Sequence, residues 1–387
     1  MDYRCISADC HIDINWLPHD LFVANATQAM KDRMPYVTER AGGMSWVTKG
    51  GVNFGYAGGR GSGLVTGVNT KYKTGREYRI DRMASTGLYT DGAQGIFRPS
   101  DPVLRLQDQD RDGVQAEVMY GLLGAGNKMT DREASVEFYR IYNDWLCGFC
   151  GHNLARFVGL ASIPSHSVDA AVAETRRVAK LAGIGGVDIS FSYDMQPLWH
   201  PAWDTFWQAA ADVDLPVHFH TVRQSPPVPV PAGLPEYYSV VSDATRMAGF
   251  QLYMANILAA VINGGALERH PKLRIVLGES GIGWIPYVLQ RMDDEYEERF
   301  KHDLPIKMKP SEYWYRQCRA TFQNDVVGTH LLDLLGLENV MWGSDYPHPD
   351  GVFPDSQDYI KRQFGHLPGA TQRKLICENV GKFYKLI

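Results

Sequence analysis

The segment WGSDYPHPD (342–350) ends a short apolar run and places Asp345 directly after it, where a buried strand would stop. The segment ISADCHID (6–13) has the same form near the N-terminus, with Asp9 and His11 following a short apolar strand. In each case, a side chain that can bind a cation or move a proton stands at the carboxyl end of a predicted strand.

Two further apolar runs end in the same kind of residue. LPVHFHT (215–221) carries His220, and LRIVLGESG (273–281) carries Glu279. Strand ends that are far apart in the sequence but each deliver an acid or an imidazole are typical of a barrel enzyme that assembles a metal site. The pattern therefore predicts a fold and a site together.

Strand-like and helix-like runs alternate along the chain. The predicted strands are 4–8, 116–120, 157–162, 186–190, 215–219, 274–278, 318–322 and 339–343. The predicted helices include 132–149, 167–182, 201–213, 245–263, 284–300, 325–335 and 369–386. Eight such alternations predict an α/β fold, a (β/α)8 TIM-like barrel. An open doubly wound sheet would also alternate, but it would need an early phosphate-binding glycine turn, and none is convincing.

The connection after the first strand is abnormally long. We expect a single domain, 1–387, with 18–112 as a loop-rich insertion over the barrel mouth. GGRGSG (58–63) resembles a phosphate-binding loop, but no strand precedes it and no GK[ST] follows it. The loop RQSPPVPVPAGLPEYY (223–238) comes after His220 and is stiffened by proline. Both loops are expected to shape the substrate pocket.

The composition is that of a globular protein, with 44% hydrophobic and 21% charged residues and a net charge of −5. This mild acidity gives no reason to expect nucleic acid or an anionic membrane as a partner. No apolar run is long enough to span a bilayer, and the N-terminus lacks the pattern of a signal peptide. We expect a soluble, cytoplasmic protein.

The six cysteines are sparse for 387 residues and are expected to be free. CGFCGH (147–152) has a spacing that could suit zinc. However, the preceding residues have helical periodicity, and no second CxxC pair would close a tetrahedral site. Helix residues that pack inward are the favoured explanation.

Pairs of polar residues two positions apart point to the same side of a strand and can bind one ion together. Asp9 and His11 form such a pair, and His11 with Asp13 is a rival. His218 and His220 have the same spacing. His220 lies further past the apolar run, so His218 is either a ligand or a substrate contact.

Each candidate also has a purely structural explanation. Glu279 could cap the helix that follows it, and Asp345 could cap a turn in SDYP. His220 could be a satisfied buried side chain. Taken together at four strand ends, these residues favour a functional site, because a carboxylate after an apolar strand is costly without a compensating cation or donor.

Four motifs, SADCH, LPVHFH, LERHPKLRIVLGESGIGWIPYVLQRMD and VMWGSDYPHPDGVFPDS, carry a resemblance to a known family. The chain resembles the amidohydrolase-related branch of the amidohydrolase superfamily, which includes the aminocarboxymuconate-semialdehyde and resorcylate decarboxylases. The resemblance spans nearly the whole chain, and the last two motifs are specific. It implies a metal-bearing, distorted barrel that is often a dimer.

By position in this resemblance, Asp9 and His11 match the strand-one pair, and His220 matches the strand-five ligand. Asp345 matches the strand-eight ligand or proton-handling acid. Glu279 stands where the decarboxylases have a histidine, which is a departure from their pattern. No lysine ends the fourth strand, so a carbamylated-lysine bridge between two metals is not expected.

The donor set of imidazoles and carboxylates suits Zn, Mn or Fe, with one ion per chain favoured and two possible. Our first hypothesis is metal-dependent hydrolysis or non-oxidative decarboxylation of a small aromatic or cyclic carboxylate or amide. Asp345 or Glu279 would move the proton. His348, three residues past Asp345, would lie behind the ligands or contact the substrate.

A second hypothesis belongs to a different class. Carboxylates can bridge two metals, and a dinuclear non-haem Fe or Mn/Fe oxygenase could use Asp13, His218 or His348 to hold the second ion. A third is a non-catalytic partner subunit in a hetero-oligomer with an active paralogue. A homodimer is the expectation from the resemblance.

The loops around the expected barrel mouth are rich in aromatic residues and favour an apolar or aromatic substrate. These residues are Trp46, Phe54, Tyr56, Tyr72, Trp199, Trp203, Tyr237 and Tyr238. Packing of loop against barrel also explains each of these rings and is the favoured interpretation for any one of them. Arg60, Lys71 and Arg223 are candidate partners for a substrate carboxylate and are equally compatible with solvated surface charges.

Overall fold

The computed structural model describes residues 3–58, 79–190, 192, 195–221, 231–235 and 237–387, without the side chains of residues 79 and 80. The predicted substrate contacts Arg60 and Arg223 lie outside the described residues, as does Lys71. Most of the proline-rich loop lies outside them as well.

Eight parallel strands form one sheet in the order β1-β5-β6-β7-β8-β9-β10-β11. They are β1 Ile6–His11, β5 Ala116–Tyr120, β6 Phe157–Ile163, β7 Ile184–Ile189, β8 Val217–His220, β9 Ile275–Gly278, β10 Cys318–Phe322 and β11 Val340–Trp342. A parallel bridge between Cys10 and Tyr346 joins the two edges and closes the sheet into a barrel. The predicted (β/α)8 barrel is therefore confirmed, and every predicted strand is present.

The barrel strands are apolar because both of their faces are covered. Inward-facing side chains such as Ala8, Val118, Leu160 and Val276 form a core inside the barrel. Tyr384, near the C-terminus, packs into the same core. Outward-facing side chains pack against the surrounding helices in a larger core.

Helices follow most of the strands. Those after β5 are Arg132–Gly151, Val168–Val178, Asp204–Asp212, Tyr237–Ala248, Met254–Asn263, Ala266–Arg269, Ile285–Glu295, Pro310–Gln317, Val326–Thr329, Leu332–Leu335, Ser356–Phe364, Gly369–Arg373 and Asn379–Phe383. The π-helical turns Tyr296–Phe300 and Lys374–Glu378 extend two of them. The prediction of one helix over 245–263 is wrong, because the chain forms two helices that are separated at Gly249 and a short 3-10 turn.

Between β1 and β5 the chain builds a small antiparallel sheet and several short helices. The sheet has the order β2-β3-β4, with β2 Tyr36–Arg40, β3 Gly43–Val47 and β4 Asn53–Tyr56. The helices are Leu21–Asn25, Arg79–Ser85, Leu88–Ala93 and Pro102–Asp112. Trp46 is fully buried and packs edge-on against Phe22, so this ring belongs to a structural core.

None of the described helices is both long enough and apolar enough to cross a membrane. All six cysteines are free. Cys147 and Cys150 lie on the Arg132–Gly151 helix, in agreement with the packing explanation for CGFCGH.

Candidate metal centre

Five of the predicted site residues meet at the carboxyl end of the barrel. Asp9 and His11 lie at the end of β1, and His220 is the last residue of β8. Glu279 follows β9 directly, and Asp345 lies three residues beyond β11. All five are buried. The barrel closure therefore brings together side chains that are up to 336 positions apart in the sequence (345 − 9).

The donor atoms of four of these residues face one another. Asp9 Oδ1 lies 3.4 Å from His11 Nε2 and 3.4 Å from His220 Nε2. His11 Nε2 lies 3.0 Å from Asp345 Oδ1. Ligands of one ion with bonds of about 2.0–2.2 Å lie roughly 3.0–3.5 Å apart, so these spacings fit a shared cation.

Hydrogen bonds within the described part of the chain do not satisfy these atoms. Among the described residues, no hydrogen bond reaches Asp9 Oδ1, His11 Nε2, His220 Nε2 or either carboxylate oxygen of Asp345. Buried polar atoms are rarely left without a hydrogen bond, because the loss of hydration is costly. An ion bound by these atoms would satisfy all of them at once.

Neighbouring groups hold these ligands in position. Asp9 Oδ2 accepts hydrogen bonds from the Thr321 hydroxyl (2.5 Å) and from the Glu279 backbone N–H (2.7 Å), which leaves Oδ1 free to face the cluster. His220 Nδ1 lies 2.9 Å from the Thr221 carbonyl oxygen. A proton on Nδ1 there leaves the lone pair of Nε2 pointing into the cluster, which is the usual arrangement of a metal-bound histidine.

Two of the acidic residues have an unusual backbone. Glu279 has φ of 48° and Asp345 has φ of 58°, both in the left-handed region that residues other than glycine seldom adopt. The Asp345 N–H donates to the Asp9 carbonyl (2.8 Å), and the Glu279 N–H donates to the Asp9 side chain. Contacts with β1 therefore hold both residues in these conformations, and such strain is common at functional sites.

His348 and Asp13 extend the cluster on one side. His348 Nε2 lies 2.7 Å from Asp13 Oδ2, and Nδ1 lies 3.1 Å from Asp345 Oδ1. The His348 ring also stacks on His11, with 3.9 Å between centroids. Asp13 and His348 thus connect Asp345 to the partly exposed edge of the site.

The charges in the cluster depend strongly on one another. Burial would raise the pKa of Asp9, but the imidazoles of His220 and His11 outweigh burial and hold it well below its usual range. Burial would lower the pKa of His11, but contacts with three carboxylates raise it to about 10. Burial and the charge of Asp345 raise the pKa of Glu279 well above its usual value. A divalent cation would replace protons on the imidazoles and balance the carboxylates.

The structural alternatives for these residues do not hold. The helix after Glu279 begins at Ile285, and its N-cap, Trp284, has no side-chain capping bond. Among the described residues, Asp345 makes no side-chain hydrogen bond that would cap a turn, and His220 Nε2 makes no hydrogen bond.

His218 does not join the cluster. Its Nε2 lies 2.7 Å from the Tyr384 hydroxyl, and its Nδ1 lies 3.1 Å from the Val187 carbonyl. Burial lowers its pKa to about 3, so the ring is neutral. With both nitrogens engaged, His218 is not placed to bind a second metal or the substrate, and we correct that expectation.

The amidohydrolase family model matches residues 9–386. The chain belongs to the amidohydrolase family. The match covers all of the converging residues, so the cluster lies within the part of the chain that the family model matches.

Several relatives of this amidohydrolase are decarboxylases. A γ-resorcylate decarboxylase from Rhodococcus jostii is 28% identical to it over 67% of this chain and 81% of the relative. The crystal structure of 5-carboxyvanillate decarboxylase from Sphingomonas paucimobilis covers 99% of both chains with a TM-score of 0.66 and 22% identity. A dihydroxybenzoic acid decarboxylase from Polaromonas sp. JS666, solved with manganese and the inhibitor 2-nitroresorcinol, has a TM-score of 0.61 and 21% identity, over 79% of this chain and 92% of that one. At these identities the solved structures show the shared fold.

Sequence reasoning missed three polar residues near this amidohydrolase's metal cluster. Thr321 donates to Asp9, but a threonine in an apolar strand carries no distinctive signal. Asp350 offers a carboxylate within 4.8 Å of donor atoms from Glu279 and Asp345, at the exposed rim. Asp188 is a buried carboxylate inside β7, and its interruption of an apolar run was a signal that could have identified it.

Proposed function

We propose that this protein is a metal-dependent, non-oxidative decarboxylase of a small aromatic carboxylate. Asp9, His11, His220 and Asp345 would hold one divalent cation, and Glu279 would lie beside it. The observation that carries the proposal is the convergence of buried, unpartnered donor atoms at spacings of 3.0–3.4 Å. Imidazole and carboxylate donors suit manganese, zinc or iron, and manganese is present in a solved relative.

The relatives support the reaction class. Their names specify removal of a carboxylate from resorcylate, dihydroxybenzoate or carboxyvanillate, all of which are aromatic acids. None of the relatives described above is an oxygenase, so a dinuclear oxygenase is not favoured. Hydrolysis of an amide would use the same donor set, and it is the alternative outcome of the test below.

Different groups in the site would carry out different parts of the reaction. A cation held by Asp9, His11, His220 and Asp345 would supply the positive charge that neutralises the substrate's carboxylate. The ring carbon that bears the carboxylate takes a proton from Asp345. The bond to the carboxylate carbon then breaks, CO2 leaves, and the bonding electron pair restores the aromatic ring.

His348 would return a proton to Asp345 after each turnover. It contacts Asp345 on one side and Asp13 on the other, and its side chain is 12% exposed. This is a short path from solvent to a fully buried acid. Glu279, close to Asp345, would be the second group able to take up or release that proton.

We further propose that the protein is a homodimer in the cytoplasm and that the described part of the 18–112 insertion, residues 18–58 and 79–112, covers the barrel mouth. The Tyr237–Ala248 helix supports the dimer, because it has no buried side chain and exposes Tyr237, Val240 and Val241. An exposed apolar helix face is typical of an interface. Six free cysteines agree with a reducing compartment. Light scattering that reports a monomer would contradict the dimer.

The test is CO2 release from hydroxylated benzoates by the manganese-loaded protein, with products followed by chromatography. Asp345→Asn should lower turnover by about 10²- to 10⁴-fold, the usual contribution of a positioned general acid, and should leave the fold intact. Asp333→Asn, on the exposed surface, is the control. A fully active Asp345→Asn variant would contradict the role of Asp345. Amide cleavage without CO2 release would favour hydrolysis.

A further inference from the structure

A second group of buried polar atoms lies beside the metal cluster, on the β5–β6–β7 side of the barrel. Asp188 Oδ1, the Ser162 hydroxyl, the Tyr120 hydroxyl and the Tyr142 hydroxyl have no hydrogen-bond partner among the described residues. All four side chains are at least 98% buried. None of them belongs to the groups of converging metal donors.

The strand register brings Asp188 and Ser162 together. Ser162 of β6 pairs with Asp188 of β7, and paired residues on neighbouring parallel strands point to the same face. On both strands that face is the barrel interior. The Ser190 hydroxyl donates a long hydrogen bond of 3.4 Å to Asp188 Oδ2, on the other carboxylate oxygen.

The two tyrosines adjoin the same region. The centroid of the Tyr120 ring lies 4.5 Å from that of His220 and 5.7 Å from that of His11, so Tyr120 packs beside two of the proposed ligands. The Tyr142 hydroxyl lies over Gly121, where an added Cβ would clash with it. Gly121 directly follows β5, so this hydroxyl also reaches the carboxyl end of the barrel.

Asp188 is also close enough to the metal cluster for their charges to interact. Burial raises the pKa of Asp188 to about 6, and the charges of His220 and His11 oppose that rise. An unpaired carboxylate oxygen inside a barrel adds nothing to packing and lowers stability. A partner that reaches it during function would explain why it is there.

We propose that Asp188 and Ser162 form a polar subsite that binds a hydroxyl substituent on the substrate's ring, beside the carboxylate that the metal cluster holds. Asp188 accepts a hydrogen bond from that hydroxyl, and Ser162 bonds to the same oxygen. A second carboxylate would be repelled by Asp188, and an apolar substituent would leave the polar atoms unpaired. The subsite therefore selects hydroxylated aromatic acids.

This inference rests on the proposed function only in taking an aromatic carboxylate as the ligand. It assigns the specificity of the site to residues that hold no metal. Asp188 and Ser162 are accordingly expected to change binding and KM more than metal content or the rate of the bound complex.

The test compares the binding of 2-hydroxybenzoate, 2-methoxybenzoate and benzoate to the manganese-loaded protein by calorimetry. The unmodified protein should bind 2-hydroxybenzoate at least about 10-fold more tightly than it binds the other two acids, as expected for a hydrogen bond to a charged group. Asp188→Asn should reduce that preference to within about 3-fold, because a neutral amide is a weaker acceptor than a carboxylate. Asp112→Asn, which changes a buried carboxylate bonded to Ser356, is the matched control and should keep the preference.

Ser162→Ala provides a second variant that changes no charge, in case Asp188→Asn does not fold. It should weaken the preference as well, with metal content unchanged. An equal affinity of the unmodified protein for all three acids would overturn the inference. So would an unchanged preference in both variants, the outcome expected if these atoms bind only buried water. If the preference depends on Asp188 but no acid loses CO2, the subsite stands and the proposed function fails.

Discussion

Loading the chelator-treated protein with Mn²⁺ is expected to raise its melting temperature, because the ion satisfies buried donors that exist only in the folded chain. Asp9, His11, His220 and Asp345 come from three separate strands or strand ends and meet only when the barrel closes. The unfolded chain therefore has no equivalent site, and the binding free energy adds to the free energy of unfolding.

The size of the effect follows from the length of the chain. At a free metal concentration 100-fold above Kd, binding adds about 2.7 kcal/mol. Unfolding entropy of roughly 2.1 cal/mol/K per residue gives about 0.8 kcal/mol/K for 387 residues. The ratio is a shift of about 3 °C, rising to roughly 5 °C at 1,000-fold excess.

Differential scanning calorimetry across a series of Mn²⁺ and Zn²⁺ concentrations would measure the shift. His220→Ala removes one donor and should abolish most of the shift, whereas His330→Ala, an exposed histidine outside the cluster, should keep it. Metal affinity should fall as the pH falls, because protons compete for His11, whose pKa is raised to about 10. A protein with no shift for either metal, or an equal shift with His220→Ala, would refute the reasoning.

Three further predictions concern stability, measured by urea unfolding. Burial raises the pKa of Asp112 to about 7, so the folded state binds this proton more tightly than the unfolded state does. The free energy of unfolding should therefore fall as the pH rises from about 4 to 7. Asp112→Asn should flatten that pH dependence, and an unchanged slope would contradict the assignment. The Asp325 carboxylate accepts hydrogen bonds from three backbone N–H groups, those of Ile282, Gly283 and Gly328. Asp325→Ala should therefore lower the free energy of unfolding by about 1–3 kcal/mol, and Asp325→Asn should lower it by less. Arg105→Leu should cost about 3–5 kcal/mol, because it leaves the buried carboxylate of Glu117 unpaired, and a second change, Glu117→Gln, should restore part of the loss.

The fold could be predicted from the sequence because parallel barrel strands are covered on both faces and appear as short, uninterrupted apolar runs. All eight strands were located in this way. The segment 245–263 was wrongly predicted as one helix, because apolar residues continue through it whereas the helix ends before Gly249. Helical periodicity shows which residues can share a face, but it does not show where a turn is stabilised by neighbours.

The candidate ligands were likewise apparent as acids and imidazoles at strand ends. His218 and His220 could not be separated, because alternation along β8 points both side chains inward. Only the packed structure shows that Tyr384, from the C-terminal helical region, takes His218 as a hydrogen-bond partner and leaves His220 Nε2 free. The role of Thr321 likewise became apparent only from the structure, because a threonine in an apolar strand carries no distinctive signal.

The sequence by itself determined the order of strands and helices and the polar residue that ends each strand, since these depend on local pattern. Tertiary structure alone decided which of those residues share a cavity, which of their atoms are already bonded, and which remain buried without a partner. The physical reason is that relative register around a closed barrel, and the side chains that neighbouring elements insert into it, depend on contacts between residues hundreds of positions apart.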